Sequence, residues 1–97
     1  MNPEDKKILH LTLKKEWFDL ILSGEKTEEY REYKPYWIKR LMSHCGRMKQ
    51  FDIVRFRNGY RKEDPIMDVE CKGIFIRYGK GDYFAIMLGK VLSSHNI

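Results

Sequence analysis

The sequence predicts a single α+β domain, residues 1–97, in which about five mostly antiparallel strands form a small closed or nearly closed barrel with two helices beside it. Three observations carry this prediction. Five short runs show strand patterning, two segments show the i, i+3, i+4 stripe of an amphipathic helix, and glycine, proline and Asn-Gly punctuate the joins. Closure follows because a small sheet with open edges exposes unpaired backbone groups.

Ile8 to Leu13 alternates, with Leu9, Leu11 and Leu13 on one face, which predicts the first strand. Lys14 to Leu22 then places Trp17, Leu20 and Ile21 on one helical stripe, with Thr12 as the candidate cap and Gly24 as the left-handed stop. Both Trp17 and Trp37 are expected in the core because each begins such a stripe. Lys26 to Tyr33 alternates as a second strand, with Thr27, Glu29, Arg31 and Tyr33 on one face and Lys26, Glu28, Tyr30 and Glu32 on the other.

Pro35 suits the first position of a second helix, whose stripe is Trp37, Ile38 and Leu41 and which runs to about Ser43. After a connection from His44 to Gln50, Phe51 to Arg57 reads as a strand with Val54 and Phe56 inward and Arg55 and Arg57 outward. Asn58-Gly59 signals a turn that opens a loop to Pro65. Ile66 to Arg77 is the next strand, bent or bulged at Gly73, and Tyr83 to Leu92, apolar on both sides around Phe84 to Leu88, is a central last strand.

Nineteen Lys and Arg against fourteen Asp and Glu leave a net charge of +5, which favours polyanionic partners. Two cysteines, Cys45 and Cys71, cannot build the disulfide framework of a small secreted domain, so a reduced, cytoplasmic setting is expected. Met1 to Lys7 is polar, so no apolar signal region is expected, and no apolar run approaches the ~20 residues of a membrane span. His44 beside Cys45 lacks the spacing of a metal site, so neither a metal nor a cofactor is expected.

The chemically informative stretch is Gly24 to Arg31, where a helix stops and a strand begins with Lys26, Glu29 and Arg31 close together. Two cations bracketing one carboxylate can hold a phosphate or a polarised carbonyl. A second candidate group is the basic run Arg55, Arg57, Asn58, Tyr60, Arg61 and Lys62, in which aromatic rings interleave with charge as in proteins that combine phosphate contact with base stacking. Lys39, Arg40, Arg47 and Lys49 form a third basic cluster, read as the solvated face of the second helix and its exit.

The glycine-x-lysine-x-x-glutamate-x-arginine pattern formed by Gly24, Lys26, Glu29 and Arg31, placed between an amphipathic helix and a strand, resembles the signature of the ASCH family. The order of the surrounding strands and helices looks similar over nearly the whole chain. The resemblance implies a five-stranded PUA-like barrel and an RNA or nucleotide-like ligand in a cleft near the motif. On that reading Lys26, Glu29, Arg31, Arg55, Arg57, Asn58 and Tyr60 are the nucleic-acid-binding candidates.

Some small relatives are implied to be amidohydrolases of N4-acylated cytidine nucleosides, with a lysine in the motif and a threonine three positions later. Here Lys26 matches, but that later position is Glu29, and Thr27 is displaced. Lys26, Thr27 and Glu29 are therefore the catalytic candidates, with Glu63 and Glu70 available as a distant carboxylate. A third alternative is a protein-interaction domain in which the motif is only structural, Glu29 and Arg31 forming an ordinary ion pair and Lys26 facing water.

Overall fold

Seven elements make up the computed structural model, which describes residues 6–97; residues 1–5 of the polar start lie outside the described part. In chain order they are β1 (Ile8–Thr12), α1 (Lys15–Leu22), β2 (Glu28–Glu32), α2 (Pro35–Leu41), β3 (Ile53–Arg57), β4 (Ile66–Arg77) and β5 (Tyr83–His95). The strands form one sheet in the order β1-β3-β4-β5-β2. Three pairings are antiparallel, and β1 lies parallel to β3.

The sheet curls into a half-barrel, so the expectation of closure holds only in part. β1 and β2 remain the two edges, and side chains rather than a backbone ladder bridge them: Arg31 on β2 donates from Nη2 to the Thr12 carbonyl on β1 at 3.3 Å. From α2, Arg40 Nη2 donates to the His10 carbonyl, also at 3.3 Å. Guanidinium groups thus occupy carbonyls on an edge that lacks a strand partner.

One apolar cluster fills the concave side. It joins Leu9, Leu11 and Leu13 around β1, Val54 and Phe56 on β3, Met67 and Val69 on β4, and Phe84, Ile86 and Leu88 on β5 with Phe18 and Ile21 of α1 and Leu41 of α2. The alternation read in β3 is the observed one, because Val54 and Phe56 are buried while Arg55 and Arg57 are only partly covered. Gly73 sits at φ +135° where the β4–β5 register shifts, as expected of a bulge.

Several details correct the sequence reading. The stripe of α1 is Phe18 and Ile21, while Trp17 is 42% exposed, because the helix rotates its neighbouring phenylalanine into the core. Trp37 and Ile38 only pack against the core rim, and α2 ends at Leu41 rather than near Ser43. Lys14, not Thr12, takes the N-cap position of α1, without a side-chain cap. β2 begins at Glu28, leaving Lys26 and Thr27 in the approach to it, and β3 begins at Ile53. β5 is central where it lies between β4 and β2, but it continues to His95 beyond the end of β2, and its last residues are exposed.

Candidate functional site

The junction between α1 and β2 is built by hydrogen bonds that turn the chain sharply. Ser23 N–H donates to the Asp19 carbonyl, Gly24 N–H to Ile21 and Lys26 N–H to Leu20, each at 3.0 Å. Gly24 takes φ +85°, the left-handed geometry that favours glycine. This turn places Lys26 two residues before a strand whose core-side positions are Glu29 and Arg31, paired in register with buried Ile86 and Phe84.

The three motif side chains converge. Lys26 Nζ lies 3.1 Å from Glu29 Oε1, and Arg31 Nη1 lies 2.9 Å from Glu29 Oε2. The Glu29 side chain is 6% exposed, against 20% for Lys26 and 16% for Arg31. A carboxylate so deeply covered needs opposite charge and hydrogen bonds to offset its desolvation, and two cations plus the Tyr30 N–H supply them. The Lys26 ammonium is thus not simply solvated, and the trio carries one net positive charge at the rim of the core.

Aromatic rings wall the trio. Lys26 Nζ sits 4.6 Å from the Trp17 ring centroid and 5.5 Å from that of Tyr30. Arg31 Cζ lies 5.2 Å from the Trp37 centroid, and Arg40 Cζ lies 5.4 Å from the same ring. Reading Trp17 as core concealed this role. Phe18 offers an equivalent i, i+3, i+4 stripe with Ile21 and Leu22, a tie visible in the sequence that would have freed Trp17 for the surface.

Beside the trio opens a hollow of ≈ 360 Å³ lined by Leu20, Glu25, Lys26, Thr27, Glu28 and Tyr30. Lys26 and the exposed Thr27 therefore share one opening, while Glu29 and Arg31 stand behind it. Across the other face of β2, Glu28 pairs with Arg77 and accepts from the Tyr30 hydroxyl at 2.6 Å. Arg77 and then Tyr30 hold the Glu28 carboxyl below its ordinary range, and the same bond to Glu28 raises the Tyr30 phenol. Another hollow, of ≈ 340 Å³ between Met48–Asp52 and Cys71–Phe75, lies away from the motif.

The second predicted group sits on the opposite face of the sheet from Glu29 and Arg31, since Arg55 and Arg57 alternate with the buried Val54 and Phe56. Arg55 makes a bidentate pair with Asp68 at 2.7 and 2.9 Å, which holds Asp68 below and Arg55 above their ordinary values. Arg57 has no carboxylate partner among the described residues. Asn58 Nδ2 donates to the Leu13 carbonyl at 2.9 Å, so this side chain pins the loop to β1, whereas Tyr60 is 88% exposed.

Of the distant carboxylates, Glu63 lies 3.6 Å from Arg61 and Glu70 packs against the backbone at Gly89, neither among the residues that line the Lys26 hollow. Both cysteines are free thiols. Among the described residues no group of three or more His, Cys, Asp or Glu is placed to hold a metal, and no helix is long and apolar enough to cross a membrane.

Comparison with protein-family models, with curated proteins and with solved structures gives no match to this chain.

Proposed function

We propose that the chain is a binding module for RNA or a nucleotide-like ligand, of ASCH type and PUA-like in fold. One observation carries the reading: Lys26 is held by a buried carboxylate between the rings of Trp17 and Tyr30, at the mouth of an open hollow. Glu29 fixes the direction of the ammonium, so an arriving phosphate or carbonyl meets an oriented donor, and the half-exposed rings offer faces for a base. The half-barrel with two helices is compatible with this assignment. Arg57 and Tyr60 would add contacts to a longer strand that wraps the sheet.

The test is anisotropy of a labelled single-stranded oligoribonucleotide titrated with the wild type and with Lys26→Gln. Saturable binding that weakens with salt and drops about tenfold in the variant supports the reading, a loss in line with one charge-assisted contact. Equal binding by both proteins, or none by either, overturns it.

The amidohydrolase alternative keeps one favourable feature, since Thr27 lines the same hollow as Lys26. Against it, the Lys26 ammonium is ion-paired with Glu29 rather than standing ready to accept a proton from a hydroxyl. Incubation with N4-acetylcytidine and separation of products decides: the binding reading expects no turnover at high protein concentration.

A further inference from the structure

A different cationic hollow lies between the free edge of β1 and α2. It has a volume of ≈ 380 Å³ and is lined by Ile8, Leu9, His10, Lys39, Arg40, Lys49 and Phe51. Its wall contains three permanent cations and one imidazole but no carboxylate. The fold assembles it from three separate stretches of chain. Arg40 is fixed by its bonds to the His10 carbonyl at 3.3 Å and to the Tyr36 hydroxyl at 2.7 Å, and Lys49 Nζ is drawn in by the Lys39 carbonyl at 3.4 Å.

The neighbouring sheet face adds to the field. His10 pairs in register with Arg55 and Thr12 with Arg57, on the side of β1 and β3 that faces away from the core. The charged groups around the imidazole are Arg55 and Arg57 from β3, Arg40 from α2, and Asp68 from β4. Asp68 already serves Arg55 through both of its oxygens. Three guanidinium groups therefore face one committed carboxylate.

We infer that this hollow is an oligophosphate-binding site in which Lys39, Arg40 and Lys49 hold the anion and His10 takes up a proton as it docks. The site is separate from the Lys26 hollow and stands whether or not that one binds RNA. Fixed guanidinium and ammonium donors around a concave, partly apolar floor suit clustered phosphate oxygens. Partial burial, followed by Arg55, Arg57 and Arg40, keeps the imidazole below its ordinary value of 6.5. An anion in the hollow opposes the effect of those arginines, so occupancy favours the imidazolium and adds a further donor. Two sources share this chemistry: a free or terminal oligophosphate, and the successive phosphates of a polynucleotide backbone.

The experiment follows the His10 imidazole C–H resonance, assigned with His10→Gln, while inorganic tripolyphosphate is added at several pH values. The expected result is saturable movement of that resonance with its titration midpoint displaced upward, and affinity that falls about tenfold or more between about 50 and 200 mM salt. The double variant Lys39→Gln/Lys49→Gln, whose side chains are at the surface, should weaken binding at least about tenfold while leaving the fold's spectrum intact. A parallel titration with a single-stranded oligoribonucleotide lacking terminal phosphates separates the sources. Response to both probes assigns the backbone of a polynucleotide, and response to tripolyphosphate alone assigns a free or terminal oligophosphate. An unmoved His10 resonance with both probes, or affinity unchanged in the double variant, overturns the inference. Lys26→Gln should leave this response as in the wild type, so that loss of RNA binding through Lys26 is distinguishable from failure here.

Discussion

Replacing Glu29 by Gln removes the only negative charge between Lys26 and Arg31 while keeping the size of the side chain. In the wild type both carboxylate oxygens are engaged, at 3.1 Å by Lys26 and 2.9 Å by Arg31, and the Glu29 side chain is almost wholly covered. Breaking a buried ion pair by removing one partner typically costs 3–5 kcal/mol, roughly the upper bound here. Two features reduce it. Lys26 keeps enough exposure to swing toward water, and the glutamine oxygen still accepts one hydrogen bond, so a loss of about 2–3 kcal/mol is expected. For a domain of this size that lowers the melting temperature by about 10–20 °C. Urea unfolding followed by far-ultraviolet circular dichroism measures it, with the slope unchanged if the unfolded state is unaffected. Asp19→Asn, which breaks the solvent-exposed Lys15–Asp19 pair, is the control and should cost less than ~1 kcal/mol. A loss below about 0.5 kcal/mol for Glu29→Gln would refute the reasoning, because the trio would then be no more coupled than a surface pair.

Four further outcomes are expected. Phe18→Ala should cost about 3–5 kcal/mol and Trp17→Ala only about 1–2 kcal/mol in the same urea assay, because the first ring is buried and the second covers Lys26 from outside. Gly59→Ala should cost about 2 kcal/mol or more in thermal melts, since Gly59 has φ +129° and an added Cβ would collide with the Asp64 carboxylate. Stability should fall as pH drops below 6.5, because the His10 pKa is lowered in the fold and the unfolded chain takes its proton first; His10→Gln should flatten that part of the profile in urea midpoints. A second decline should begin below about 4.5, where unfolded Glu28 and then Asp68 protonate while the folded carboxylates, held by Arg77 and Arg55, still resist.

What could be read from the residues was local. The outward Arg55 and Arg57 against inward Val54 and Phe56, the helix start at Pro35, the left-handed stop at Gly24 and the bulge at Gly73 each follow from a pattern spanning a few positions. The convergence of Lys26, Glu29 and Arg31 was likewise legible, because a turn and a strand of known period fix their relative placement. The parallel pairing of β1 with β3 was not, since it joins segments more than 40 residues apart and leaves no local mark. Trp17 was misassigned because two overlapping stripes are equally apolar, and only packing against β-strands elsewhere chooses between them. The hollow between β1 and α2 was invisible for the same reason: His10 is 30 residues from Arg40, and Lys39, Arg40 and Lys49 alone look like a solvated face.

The reading of the motif as a ligand site is tested most directly by the indole N–H resonance of Trp17, assigned with Trp17→Phe, during titration with a single-stranded oligoribonucleotide. The ring lies against Lys26, which lines the hollow, so the account predicts a saturable shift of this resonance, reversed by salt and weakened about tenfold in Lys26→Gln. A Trp17 signal that stays fixed while RNA binds elsewhere on the surface, or that moves equally in the variant, would contradict it.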